Sequence, residues 1–126
     1  MTLILDAGAF IALARDDRAM WRRLKAARRQ GVPPLTHGGV VGQVWRGGGA
    51  RQALLARALN GITVDALNER LGRRAGALLA CAGTSDVIDA ALVLLAEDTD
   101  HLVTSDLADL GLLADAAGLH IELIHA

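Results

Sequence analysis

A single cysteine, Cys81, excludes an internal disulfide and any metal site built from several thiolates. The only lysine, Lys25, lies outside any glycine-rich loop, which excludes a P-loop. No Gly-x-Ser-x-Gly elbow is present. The run Gly47-Gly48-Gly49 follows a helical pattern rather than a strand, unlike a dinucleotide fingerprint. With no tyrosine, and with Phe10, Trp21 and Trp45 as the only aromatics, a core must come from Leu, Ala, Val and Ile in a chain that is 52% hydrophobic. No apolar run approaches the roughly 18 residues that span a bilayer. The first residues also lack the basic, apolar and small-residue regions of a secretory signal. A cytoplasmic protein without membrane association is therefore expected. His37, His101, His120 and His125 are scattered without metal-ligand spacing and read as surface or strand-edge residues.

What is present amounts to one domain, because 126 residues bury a single core. Its net charge of −1 conceals a segregation. Residues 1 to 74 hold all 13 basic residues and five acids; residues 75 to 126 hold nine acids and no Lys or Arg, so the two parts carry +8 and −9. Such asymmetry gives electrostatics a role in partner binding, unless the two parts intermix and pair on a solvated surface.

Leu3-Ile4-Leu5 reads as a buried strand running through Asp6 into a helix over Ala7 to Ala14. Helical patterning follows from Asp16 to Gln30, with acids at its start, Arg28 and Arg29 at its end and Gly31 beyond. Val32 to Thr36 is a strand whose Pro33-Pro34 confine any ladder to its later residues or to an edge. Gly38-Gly39 reads as a turn, Val40 to Trp45 as a short helix, and residues 50 to 59 as another. Ile62 to Val64 is a third strand, with helices over Ala66 to Ala82 and Asp86 to Glu97. His101 to Thr104 is a strand, Asp106 to Ala117 a helix and Leu119 to Ile124 a closing strand. Short strands alternating with longer helices predict an α/β fold, a three-layer sandwich around a mostly parallel sheet.

In this pattern Asp6, Asp86, Asp89 and Asp106 fall where strands end or helices begin. In an open α/β sheet such positions gather at the carboxyl edge, where ligands bind. Gathered carboxylates repel one another, and a hard divalent cation such as Mg²⁺ relieves that repulsion through oxygen ligands. Each acid also has a plainer explanation. Thr84-Ser85-Asp86 is a good helix start, and Ser105-Asp106 with Asp109 resembles a capping arrangement. Capping explains Asp89 less well, since it sits inside the apolar run Val87 to Ala96. Asp6 precedes Ala-Gly-Ala, small residues that leave room beside its carboxylate.

Three segments carry a family resemblance. Leu3-Ile-Leu-Asp-Ala-Gly-Ala-Phe-Ile-Ala-Leu resembles the opening of PIN-domain ribonucleases. Thr84-Ser-Asp-Val-Ile-Asp-Ala-Ala-Leu-Val-Leu-Leu-Ala resembles their helix with an Asp-Ala pair, and Leu102-Val-Thr-Ser-Asp-Leu-Ala-Asp-Leu their late strand, Thr-x-Asp and helix. Order and spacing are kept, and the length is similar to that of VapC-type toxins of toxin–antitoxin pairs.

The resemblance implies a single PIN-like domain over residues 1–126 that hydrolyses RNA phosphodiesters. Asp6, Asp89 and Asp106 would be the catalytic acids and hold one or two Mg²⁺ or Mn²⁺ ions, with Asp86, Thr104 and Asp109 as secondary candidates. Gln43 stands where the family places a glutamate on the helix after the second strand. Its amide oxygen can still coordinate a cation or hold a water, but the site loses one negative charge. Arg46 and Arg51, flanking the glycine loop, are candidates for substrate phosphates, against the plainer reading of both as solvated arginines. The resemblance also implies a cognate antitoxin protein as partner, and a homodimer. Two other readings stand beside the endoribonuclease: a PIN-like binding module that has lost cleavage through Gln43, and a receiver-like signalling domain. The last is disfavoured, since no lysine follows Lys25.

Overall fold

The structure, a computed structural model, describes residues 1–126. Its elements in chain order are β1 (Leu3–Leu5), α1 (Ala7–Ala14), α2 (Arg18–Arg29), β2 (Leu35–His37), α3 (Gly38–Val44), α4 (Ala50–Leu59) and β3 (Thr63–Asp65). They continue with α5 (Glu69–Ala82), α6 (Val87–Leu94), β4 (His101–Thr104), α7 (Leu107–Ala117) and β5 (Glu122–His125). All four strand pairings are parallel, in the order β3-β2-β1-β4-β5. The sheet expected to be mostly parallel is entirely so.

β1 is central and buried along its whole length, as its unbroken apolar run requires. From it the chain moves outward through β2 to β3, then returns across the sheet to β4 and β5. Right-handed crossovers that move in opposite directions put their helices on opposite faces, which builds three layers. The packing agrees: α1 meets α2, α3 and α4, whereas α5, α6 and α7 pack on one another. The core is aliphatic, with Phe10 its only fully buried aromatic.

The order reverses between β1 and β4, held by the register Leu3↔His101, Ile4↔Leu102 and Leu5↔Val103. A crevice opens at such a switch point, beyond the carboxyl ends of the strands. Asp100 secures the opposite end. Its buried carboxylate accepts from the backbone N–H of Thr2 at 2.7 Å and of Glu97 at 2.9 Å.

Several boundaries differ from the sequence reading. Gly38 and Gly39, read as a turn, form the first turn of α3 under a His37 cap. The second helix starts at Arg18 because Asp17 is its cap, while Asp16 adopts a φ of +60° in the tight turn after α1. Asn68 caps α5, so that helix begins three residues later than Ala66. β3 and β5 are edge strands, solvated enough that their apolar patterns mark their ends poorly, and both shift toward the C-terminus. No single helix is long and apolar enough to cross a membrane.

Candidate active site

Asp6 ends β1 and caps α1. Its Oδ1 accepts from the Ala7 N–H at 2.7 Å, and its Oδ2 accepts from the Thr104 hydroxyl at 2.7 Å. Thr104, fully buried at the end of β4, also accepts the Asp106 N–H at 3.0 Å. One hydroxyl thus ties the Asp6 carboxylate to the backbone of Asp106. Asp106 in turn caps α7 by accepting the Asp109 N–H at 3.1 Å. Asp86 caps α6 with one oxygen that accepts from both the Ile88 and Asp89 N–H groups at 3.0 Å. Capping and clustering therefore describe the same residues. Three helix N-termini converge on the carboxyl edge, and their caps bring the acids with them.

Asp89 lies in the first turn of α6 and is only 9% exposed. Burial pushes its carboxyl up to about 7, and the negative charges of Asp6, Asp86, Asp106 and Asp109 add to that rise. The Asp109 carboxyl, fully exposed, is raised by the charge of Asp106 and by a hydrogen bond with it. Carboxylate oxygens of Asp89, Asp106 and Asp109 lie within 4.8 Å of one another, a spacing that suits a shared divalent cation. Neither ion pair of the protein, Arg73–Glu69 or His101–Glu122, involves these five acids. The chemistry of the donor set therefore fits a divalent cation. Asp109, secondary in the sequence reading, belongs to the closest group, whereas Asp6 makes the largest charge contribution to Asp89 from beside it.

Gln43, Arg46 and Arg51 fall together. They line a cleft of about 290 Å³ with Arg15 and Gln52 over an apolar floor of Phe10, Ile11, Ala14, Val44 and Leu55. Gln43 is exposed and makes no hydrogen bond to any acid. The Arg46 guanidinium donates to the carbonyls of Gly42 and Trp45, leaving Arg51 less committed. Gln52 shapes this rim by accepting the Arg46 and Gly47 N–H groups at 2.7 and 3.1 Å.

Two expectations are revised. The space at Gly8, in the small-residue run after Asp6, is taken by protein: a Cβ there would meet the Ser105 side chain at 2.9 Å, so the glycine lets α1 approach the β4–α7 turn. His37, read as a surface or strand-edge residue, ends β2 but is fully buried. Its Nδ1 accepts the Gly39 N–H at 3.0 Å and its Nε2 lies 2.9 Å from the Ile88 carbonyl. The available sequence signal was a histidine ending an apolar strand immediately before a helix, where a capping acceptor is needed.

A five-stranded parallel α/β sandwich with acids gathered at its switch point is PIN-like, as the three motifs led us to expect. No protein-family model matches the sequence, and no curated protein matches it. Four chains of solved structures do match. One is in the crystal structure of VapBC2 from Rickettsia felis bound to a DNA fragment from their promoter. It aligns with a TM-score of 0.72 and 12% identity over 98% of both chains. The shared property is the fold.

Proposed function

We propose that the chain is a divalent-metal-dependent endoribonuclease that acts as the toxin of a toxin–antitoxin pair. The observation that carries this reading is the group of Asp89, Asp106 and Asp109, with Asp6 and Asp86 beside it and no cation of the protein to balance them. Asp6, Asp89 and Asp106 would hold Mg²⁺ or Mn²⁺, with Asp109 as a further ligand. Such an ion, when bound, lowers the pKa of a water and neutralises charge on an attacked phosphate.

The chain's own residues supply the rest. Thr104 holds Asp6 and Asp106 in register, and the Asp86 cap fixes the first turn of α6. Asp89, which keeps its proton up to about pH 7 without a cation, releases it when one binds. Arg15, Arg46 and Arg51 give the cleft lined by Gln43 a positive rim suited to the phosphates of single-stranded or loop RNA. Ile11 in its floor and Trp45, between Val44 and Arg46, are 43% and 41% exposed, apolar surface that fits an antitoxin chain or a second copy.

The test is cleavage of a mixed RNA pool with Mn²⁺, Mg²⁺ or EDTA, by the native protein and by Asp106→Asn. Metal-dependent cleavage that disappears in the variant is expected; equal cleavage by both would refute the site. A second reading, a binding module without cleavage, draws on Gln43, whose side chain lines the arginine cleft and bonds to none of the acids. Tight Mn²⁺ binding without cleavage of any RNA would favour it.

A further inference from the structure

Two consecutive residues at the end of β2 hold the backbone immediately before two of the acids. The Thr36 hydroxyl, buried, donates to the Leu5 carbonyl at 2.8 Å. That carbonyl and the Asp6 N–H belong to one peptide group, and the N–H donates to Val103 O on the other side at 3.0 Å. The peptide that aims Asp6 is thus fixed at both ends, by β2 and by β4. His37 does the same for α6. The Gly39 amide can only donate, so Nδ1 is the acceptor and the neutral ring carries its proton on Nε2. Nε2–H then donates to the Ile88 carbonyl, whose peptide partner is the Asp89 N–H, itself held by Asp86. The ring sits so close that a Cβ at Gly39 would lie 2.9 Å from it and 3.1 Å from the Ile88 side chain.

We propose that Thr36 and His37 are positioning residues for the acidic site, each orienting one acid through the peptide group that precedes it. Neither hydrogen-bonds to a carboxylate. β2 contributes no acid to the edge, yet it spans from β1 to α6 and sets the separation between Asp6 and Asp89. The proposal rests on the reading of these acids as a metal site. Outer partners that orient ligands in this way are worth roughly 10- to 100-fold in metal affinity.

Two variants separate positioning from simple capping. In His37→Asn the short amide retains the cap on Gly39 but does not reach Ile88; in His37→Gln the longer amide reaches Ile88 from near the Nε2 position and loses the cap. Calorimetric titration with Mn²⁺ should show a loss of roughly 10-fold or more for His37→Asn, and most of the native affinity for His37→Gln. Thr36→Val, which removes one hydroxyl at constant volume, should weaken Mn²⁺ binding similarly. The reverse order, with Gln weaker than Asn, would overturn the proposal and make His37 a cap alone. Amide hydrogen exchange at Asp89 supplies a readout that needs no metal. It should accelerate in His37→Asn and stay near native in His37→Gln. Failure of the native protein to bind Mn²⁺ refutes the metal site, while the exchange pattern still decides whether His37 orders α6; equal exchange in both variants overturns positioning.

Discussion

Replacing Asp89 with Asn removes one charge from the most crowded point of the acidic edge and keeps the shape of the side chain. In the folded protein Asp89 holds its proton up to about pH 7 instead of 3.8. Between those values the folded state binds a proton that the unfolded state has released, so stability falls as pH rises through that window. This contribution is complete below pH 3.8 and gone above 7. At about 1.4 kcal/mol per pH unit the full loss is about 4 kcal/mol. Water and salt at the open rim screen the neighbouring charges, and about 2 kcal/mol is the expected size. Metal-free Asp89→Asn should therefore be more stable than the native protein at pH 7.5 by about 2 kcal/mol, or about 6 °C in Tm. Its stability should also lose most of the slope between pH 4.5 and 7. Saturating Mn²⁺ should invert the comparison, because at 100 times Kd a ligand stabilises the native protein by about 2.7 kcal/mol and the variant binds it weakly. Urea denaturation across that pH range, in EDTA and then in Mn²⁺, measures each quantity. A variant that is less stable in EDTA at pH 7.5, or that keeps the native slope, would refute the account of Asp89 as a buried carboxyl crowded by like charges.

Other outcomes follow from the same geometry. Thr104→Val keeps the volume but leaves Asp6 Oδ2 and the Asp106 N–H without their shared partner, and should cost about 2 kcal/mol in denaturation and roughly 10-fold in Mn²⁺ affinity. Native behaviour on both measures would remove Thr104 from the site. Gln43→Glu places its new charge at an exposed position beside arginines, so solvent screening should limit the gain in Mn²⁺ affinity to less than about threefold. A tenfold gain in calorimetry would instead make residue 43 a ligand. Arg51→Gln in an Asp106→Asn background should weaken single-stranded RNA binding and lower the salt slope by about 0.7, the share of a single neutralised phosphate; an unchanged slope by fluorescence anisotropy would place RNA elsewhere. Co-expression with the neighbouring open reading frame should yield a stable complex on size-exclusion chromatography, and its absence would count against the toxin role.

Much of this protein is local in origin and so is legible along the chain. The apolar run Leu3–Leu5 is uniform because a central parallel strand is buried on both faces, and α1 runs from Ala7 to Ala14 as its spacing predicts. Asp6, Asp86 and Asp106 are visible as helix starts because a capping side chain bonds N–H groups within three residues of itself. What sequence spacing does not contain is which helix starts meet. That follows from the strand order, which sets β1 against β4 and brings α6 over from the far side of the sheet. The same long-range assembly moves Asp109 into the closest acid group and turns Gln43 toward the arginine cleft. It also makes a buried brace of His37, whose partner Ile88 lies 51 residues away. The charge on Asp89 is decided in the same way: Asp86, three residues earlier, is a local neighbour, but only the fold adds Asp6, Asp106 and Asp109 in a place where water cannot screen them fully.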